Sequence, residues 1–156
     1  MRKRKGVLNN AGFTLIEFVA VVALIAVLAA GAAILIGKAR ESAALSEVSS
    51  KLRTIEIGLT EFFTYRGNLP TQGKWPAGFP VTLHAYISPE LRTGGKTFDY
   101  ACGGNHVWIR TSPLSSPAEA ANVATKLRDA GICSHTHLDG LRVLCILQRF
   151  TGNANC

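Results

Sequence analysis

Glu17 is the residue in this sequence hardest to explain by packing alone. It stands about one turn into a run that is otherwise apolar, because from Phe18 to Ile36 no side chain carries a charge or a hydrogen-bonding group. A carboxylate in such a membrane-like setting costs on the order of several kcal/mol unless something neutralises it. Just upstream lies the pair Gly12 and Phe13. A cut between them would leave an α-ammonium on Phe13, near Glu17 in the chain. In a bundle of such helices, the positive terminus of one copy would neutralise Glu17 of the next and fix their axial register. If the chain is cut there, the chemistry this spacing suggests is assembly, with Phe13 and Glu17 as opposite charges between copies. The plainer reading, in which Glu17 snorkels to a membrane interface, leaves the glycine and the cations before it unexplained.

The second group of reactive residues is Cys102, Cys133, Cys145 and Cys156, all in the last third of the chain. An even number in an oxidising compartment predicts two disulfides, and four cysteines allow three connectivities. We favour Cys102 with Cys133 and Cys145 with Cys156, because the second bond would close a short loop and secure a tail that would otherwise fray. Cys133, His135 and His137 alternate along a strand pattern, which would put all three on one face and invites a zinc reading. The disulfide assignment of Cys133 and the lack of an acidic fourth ligand argue against it, so no metal and no cofactor are expected. His84 and His106 read as surface or loop residues. Trp75, Tyr86, Tyr100 and Trp108, with Lys74, Arg92, Lys96 and Arg110 nearby, raise the question of DNA capture, but they lack the clustering such a surface needs. No nucleophile, base and orienting group assemble from the sequence, so an enzyme is not expected.

The elements that must position these groups follow from patterning. The apolar run from Phe18 to Ile36 is about 19 residues, a rise of roughly 28 Å as a helix, enough to span a bilayer core. The formal charge of +7 is inflated by Arg2, Lys3, Arg4 and Lys5; without that leader, thirteen cations face ten anions. Cations directly ahead of a membrane segment stay on the cytoplasmic side, which sends the bulk of the chain outward. Beyond Lys38, apolar residues recur at Leu45, Val48, Leu52, Ile55, Leu59 and Phe62, a single helical stripe. No proline interrupts the chain from Phe13 to Leu69, which predicts one helix of about 54 residues, roughly 80 Å long, with Gly31, Gly37 and Gly58 as soft points. Past Gly67, Asn68 and Pro70 the chain changes character. Thr97–Ala101 and Val107–Thr111 around Gly103-Gly104-Asn105 read as a hairpin, and Asp139-Gly140 marks a second between Cys133–Leu138 and Leu141–Leu147. Ser116, Pro117 and Glu119 open a short helix that Gly131 should end. The expected fold class is α+β: a long N-terminal helix, membrane-spanning in its first half, packed against a small antiparallel β-sheet head. We place the boundaries at 1–12 for a cleaved leader, 13–37 for the membrane helix, 38–66 for the amphipathic helix and 67–156 for the head.

With those elements in place, Gly12-Phe13-Thr14-Leu15-Ile16-Glu17, behind a short basic leader and ahead of an apolar helix, resembles the prepilin signature of the type IV pilin family. The resemblance implies cleavage after Gly12 by a prepilin peptidase, N-methylation of Phe13 by the same enzyme, and an assembly role for Glu17. It implies a homo-oligomeric helical filament built through the N-terminal helices, raised by an assembly platform and a cytoplasmic motor. The precursor would reside in the inner membrane and the assembled subunit in a pilus at the cell surface, serving adhesion, twitching motility or DNA uptake. The short leader and Phe13 suit the type IVa style, although the proline that many such pilins carry in the membrane half is absent. Pseudopilins of type II secretion systems share the helix but usually close the head with a calcium loop, for which the acids near the C-terminus are too few and scattered. A tethered binding module that never polymerises would have no need of Glu17.

Overall fold

A computed structural model describes residues 14–72, 78–92, 98–152 and 154–156. The described residues fall into two compact units, one ending at Ala39 and one running from Arg40 to Cys156. Helix α1, Leu15–Arg66, supplies residues to both. In the first unit its side chains, among them Leu15, Phe18, Leu24, Leu28 and Leu35, are exposed. This is a helix long and apolar enough to cross a membrane, with no core of its own to bury that surface.

In the second unit the apolar stripe of α1 turns inward. Val48, Leu52, Ile55, Leu59 and Phe62 are buried, and Leu45 packs at the margin, as the alternating steps of three and four require. Gly58 lies in the same stripe, and a side chain there would collide with the backbone carbonyl of Tyr86. The glycine expected to loosen the helix is instead where the backbone at Tyr86 packs against it. Gly31 and Gly37 have open space around them, and α1 runs through both. The helix ends at Gly67, whose φ of 75° no β-substituted residue adopts cheaply and whose N–H donates to Phe63 O at 2.8 Å.

The head adds a short helix α2, Pro89–Arg92, and four strands: β1 Asp99–Gly103, β2 His106–Arg110, β3 Cys133–Asp139 and β4 Arg142–Leu147. Helix α3, Pro117–Asp129, lies between β2 and β3 in the chain. The sheet is antiparallel throughout, in the order β1-β2-β4-β3, so the fold is α+β as expected. Both hairpins form where their turn residues predict. Gly104 and Asn105 have φ of 58° and 61° between the paired Gly103 and His106, and Gly140 has φ of 62° between Asp139 and Arg142. Ser116 caps α3 by accepting from Glu119 N–H at 3.2 Å, while the Glu119 carboxylate reaches back to Ser115 N–H at 2.8 Å.

Helices α1 and α3 bury Leu52, Ile55, Val123 and Leu127 in one core with Tyr100, Ile109, Val143 and Leu147 of the sheet. Tyr100 is wholly buried, its hydroxyl donating to Pro70 O at 2.9 Å, and burial pushes its ionisation above the usual tyrosine range. The outer edge of β1 is occupied: Cys102 N–H donates to Gln72 O at 2.9 Å and Tyr100 N–H to Gly78 O at 3.2 Å.

The disulfides depart from expectation. They join Cys102 to Cys156 and Cys133 to Cys145, not Cys102 to Cys133 and Cys145 to Cys156. The sheet order is the reason. Cys102 lies on the edge strand β1, with β2 and β4 between it and Cys133 on the opposite edge, beyond the few ångströms that a disulfide bridges. Cys133 and Cys145 belong to neighbouring strands of one hairpin, their Cα atoms 5.4 Å apart. The segment after β4 returns to β1. Its Asn155 accepts from Leu69 N–H at 3.2 Å and donates its side-chain amide to Gly67 O at 3.0 Å, which brings Cys156 to Cys102.

Candidate functional site

The residues singled out for assembly lie at the start of α1. Gly12 and Phe13 fall outside the described residues, and Glu17 is within them. Thr14 is the last residue before the helix, and its side chain and backbone together engage Glu17. Thr14 N–H donates to Glu17 Oε2 at 2.9 Å, Thr14 Oγ1 donates to the same oxygen at 2.8 Å, and Glu17 N–H points back at Thr14 Oγ1 at 3.4 Å. This is a reciprocal capping box, Thr at the cap and Glu three residues on, and it satisfies backbone donors that a helix start leaves open. A carboxylate in the first turn also faces the positive end of the helix dipole.

The consequence for chemistry lies in how the two carboxylate oxygens are used. Oε2 takes both bonds from Thr14, whereas Oε1 takes none from the described residues. The acid is held in place by one oxygen and offers the other. No cation among the described residues pairs with it. Sequence reading singled out Glu17 and overlooked Thr14. The signal was available, because Thr14-Leu15-Ile16-Glu17 has the spacing of a capping box.

The other residues considered for chemistry are not gathered into one site. Tyr100 is core, Tyr86 meets Phe62 edge-on with ring centres 5.3 Å apart, and Trp108 is half-buried on the outer face of the sheet. Arg92 donates to Ile87 O at 2.8 Å, and Arg110 is taken up by Asp99 and Asp139. Lys74, Trp75 and Lys96 lie outside the described residues. His84 and His106 meet the backbone carbonyls of Phe79 and Gly104 at 3.0 and 2.6 Å. Cys133 does not share a face with His135 and His137, because the β3–β4 register shifts between Cys133 and His135. The shift leaves the cysteine buried in its disulfide and both histidines exposed. Among the described residues no three His, Cys, Asp or Glu side chains converge as a metal site.

Residues 8–33, which contain Thr14 and Glu17, match the family described as the prokaryotic N-terminal methylation motif. No curated protein and no solved structure matches the chain. The motif implies processing by a prepilin peptidase and entry into a pilus-type assembly system, and with the apolar helix it points to a membrane-anchored precursor. The start of this chain is thus the methylation signal of type IV pilins and pseudopilins, carried on a long apolar helix.

Proposed function

We propose that the chain is a structural, non-catalytic subunit of a type IV pilus filament. The prepilin peptidase would cut between Gly12 and Phe13 and methylate the new amine of Phe13. The subunit would then leave the inner membrane through the assembly platform and motor, joining a homo-oligomeric fibre at the cell surface that serves adhesion, twitching motility or DNA uptake. The observation carrying this reading is the methylation motif heading a helix whose apolar run is preceded by one acid, Glu17, held by Thr14 with an oxygen to spare. In the fibre, the ammonium of a neighbouring Phe13 would supply the missing positive charge.

The motif belongs equally to pseudopilins of type II secretion systems, and the same experiment separates the two. Filaments sheared from cells making the wild-type chain are compared by intact mass and electron microscopy with those from a Glu17→Ala strain. For a main pilus subunit, a species beginning at N-methylated Phe13 dominates long fibres, and the variant lowers fibre yield at least tenfold. Processed protein that stays in the envelope while fibres persist in both strains indicates a pseudopilin or a rare pilus component. A chain that keeps its leader rules out the whole reading.

A further inference from the structure

Four histidines occur in the chain, and the fold uses them unequally. His84 and His106 each have a backbone carbonyl as partner. Among the described residues His135 and His137 have no hydrogen-bond or ion-pair partner, and both are exposed. The register shift at the start of β3 places both on the outer face of the sheet, opposite Ile146 and Leu144 respectively. Being two residues apart on one strand, they project in the same direction with Cα atoms about 6.6 Å apart. Together with Trp108, Leu144 and Ile146 they line a groove of about 440 Å³. Two imidazoles two residues apart on one strand can serve together as nitrogen ligands. Neutral imidazole prefers borderline and softer cations to hard ones.

The charged groups on this face do not compete for the pair. Arg110 bonds Asp99 at 2.8 Å and Asp139 at 3.1 Å, and Arg142 bonds Asp99 at 3.3 Å, so the carboxylates are engaged with arginines. We propose that His135 and His137 form a two-point site for a divalent transition-metal cation such as copper, nickel or zinc on the outer face of the sheet. Water, or a donor from another molecule, completes the coordination. This site is independent of the helix start and stands whether or not the chain polymerises.

The test uses the full chain in detergent micelles, titrated with Cu²⁺ alone. In a Trp75→Phe background, where Trp108 is the remaining tryptophan, binding should quench its emission, and the electron paramagnetic resonance spectrum of the bound ion should show coupling to imidazole nitrogen. His135→Ala and His137→Ala should each weaken binding at least tenfold, and the double variant should abolish the nitrogen coupling. His106→Ala should leave both readouts unchanged. Because both side chains are exposed, the variants should retain the wild-type circular dichroism spectrum, which separates loss of the site from loss of the fold. Ca²⁺ and Mg²⁺, which take oxygen ligands, should produce no quenching. Equal Cu²⁺ affinity in the wild type and the double variant, or no Cu²⁺ bound by the wild type at submillimolar concentration, would overturn the proposal.

Discussion

At the scale of single residues, Thr14 and Glu17 act as one unit. Glu17 is conspicuous in the sequence because a charge beside nineteen apolar residues contradicts the pattern around it. Thr14 is less conspicuous because a threonine is ordinary near the end of a helix, although its spacing from Glu17 is that of a capping box, and its hydrogen bonds show that it fixes the acid. Thr14→Val keeps the shape but removes the hydroxyl, so the first turn should lose about 1 kcal/mol of capping and its amide at Glu17 should exchange roughly fivefold faster. Hydrogen exchange of the full chain in micelles reads this directly. Thr14→Ser should restore the slow rate, and equal rates in all three chains would mean that the cap contributes nothing.

At the scale of elements, the sequence was most readable where structure is local. The stripe on α1, both hairpin turns and the capping box of α3 are each written in a few adjacent residues, and each formed where those residues predict. The disulfide pairing was legible only in part: the Asp139-Gly140 hairpin already sets Cys133 and Cys145 on neighbouring strands, whereas the separation of Cys102 from Cys133 follows from β4 inserting between β2 and β3, which no local pattern announces. The separation of Cys133 from His135 and His137 was hidden likewise, since a single shift of register reverses which face a side chain occupies. Gly58 shows a third limit. A glycine reads as flexibility in a sequence, whereas here its missing side chain admits the Tyr86 carbonyl. Gly58→Ala, which would raise helix propensity in an isolated peptide, should instead destabilise the head by about 1–3 kcal/mol through overpacking. Urea unfolding monitored by circular dichroism tests the sign, and a stabilised variant would contradict the packing seen here.

At the scale of the whole head, the sheet consists of two hairpins joined along one seam. Strands β2 and β4 share the register pairs Trp108↔Ile146, Ile109↔Cys145 and Arg110↔Leu144. Buried Thr111 extends the seam, donating its N–H to Val143 O at 2.9 Å and accepting Val143 N–H on its hydroxyl at 3.0 Å. Across it run the ion pairs of Asp99 with Arg110 and Arg142, and of Arg110 with Asp139, which link all four strands. Asp99 is buried, so Asp99→Ala would leave two arginines without the carboxylate they share and should cost about 3 kcal/mol. A urea midpoint unchanged from wild type would show that the network is decorative.

The Cys102–Cys156 bond has a further consequence for this seam. It starts on one hairpin and ends beyond the other, so β2, α3, β3 and β4 all lie inside a closed covalent loop. Tension entering through α1 and leaving at Cys156 passes from Cys102 across the sulfur bridge, bypassing everything between. While that bond stays oxidised, a load along this path can peel away only the chain ahead of Cys102, and the seam between β2 and β4 bears none of it.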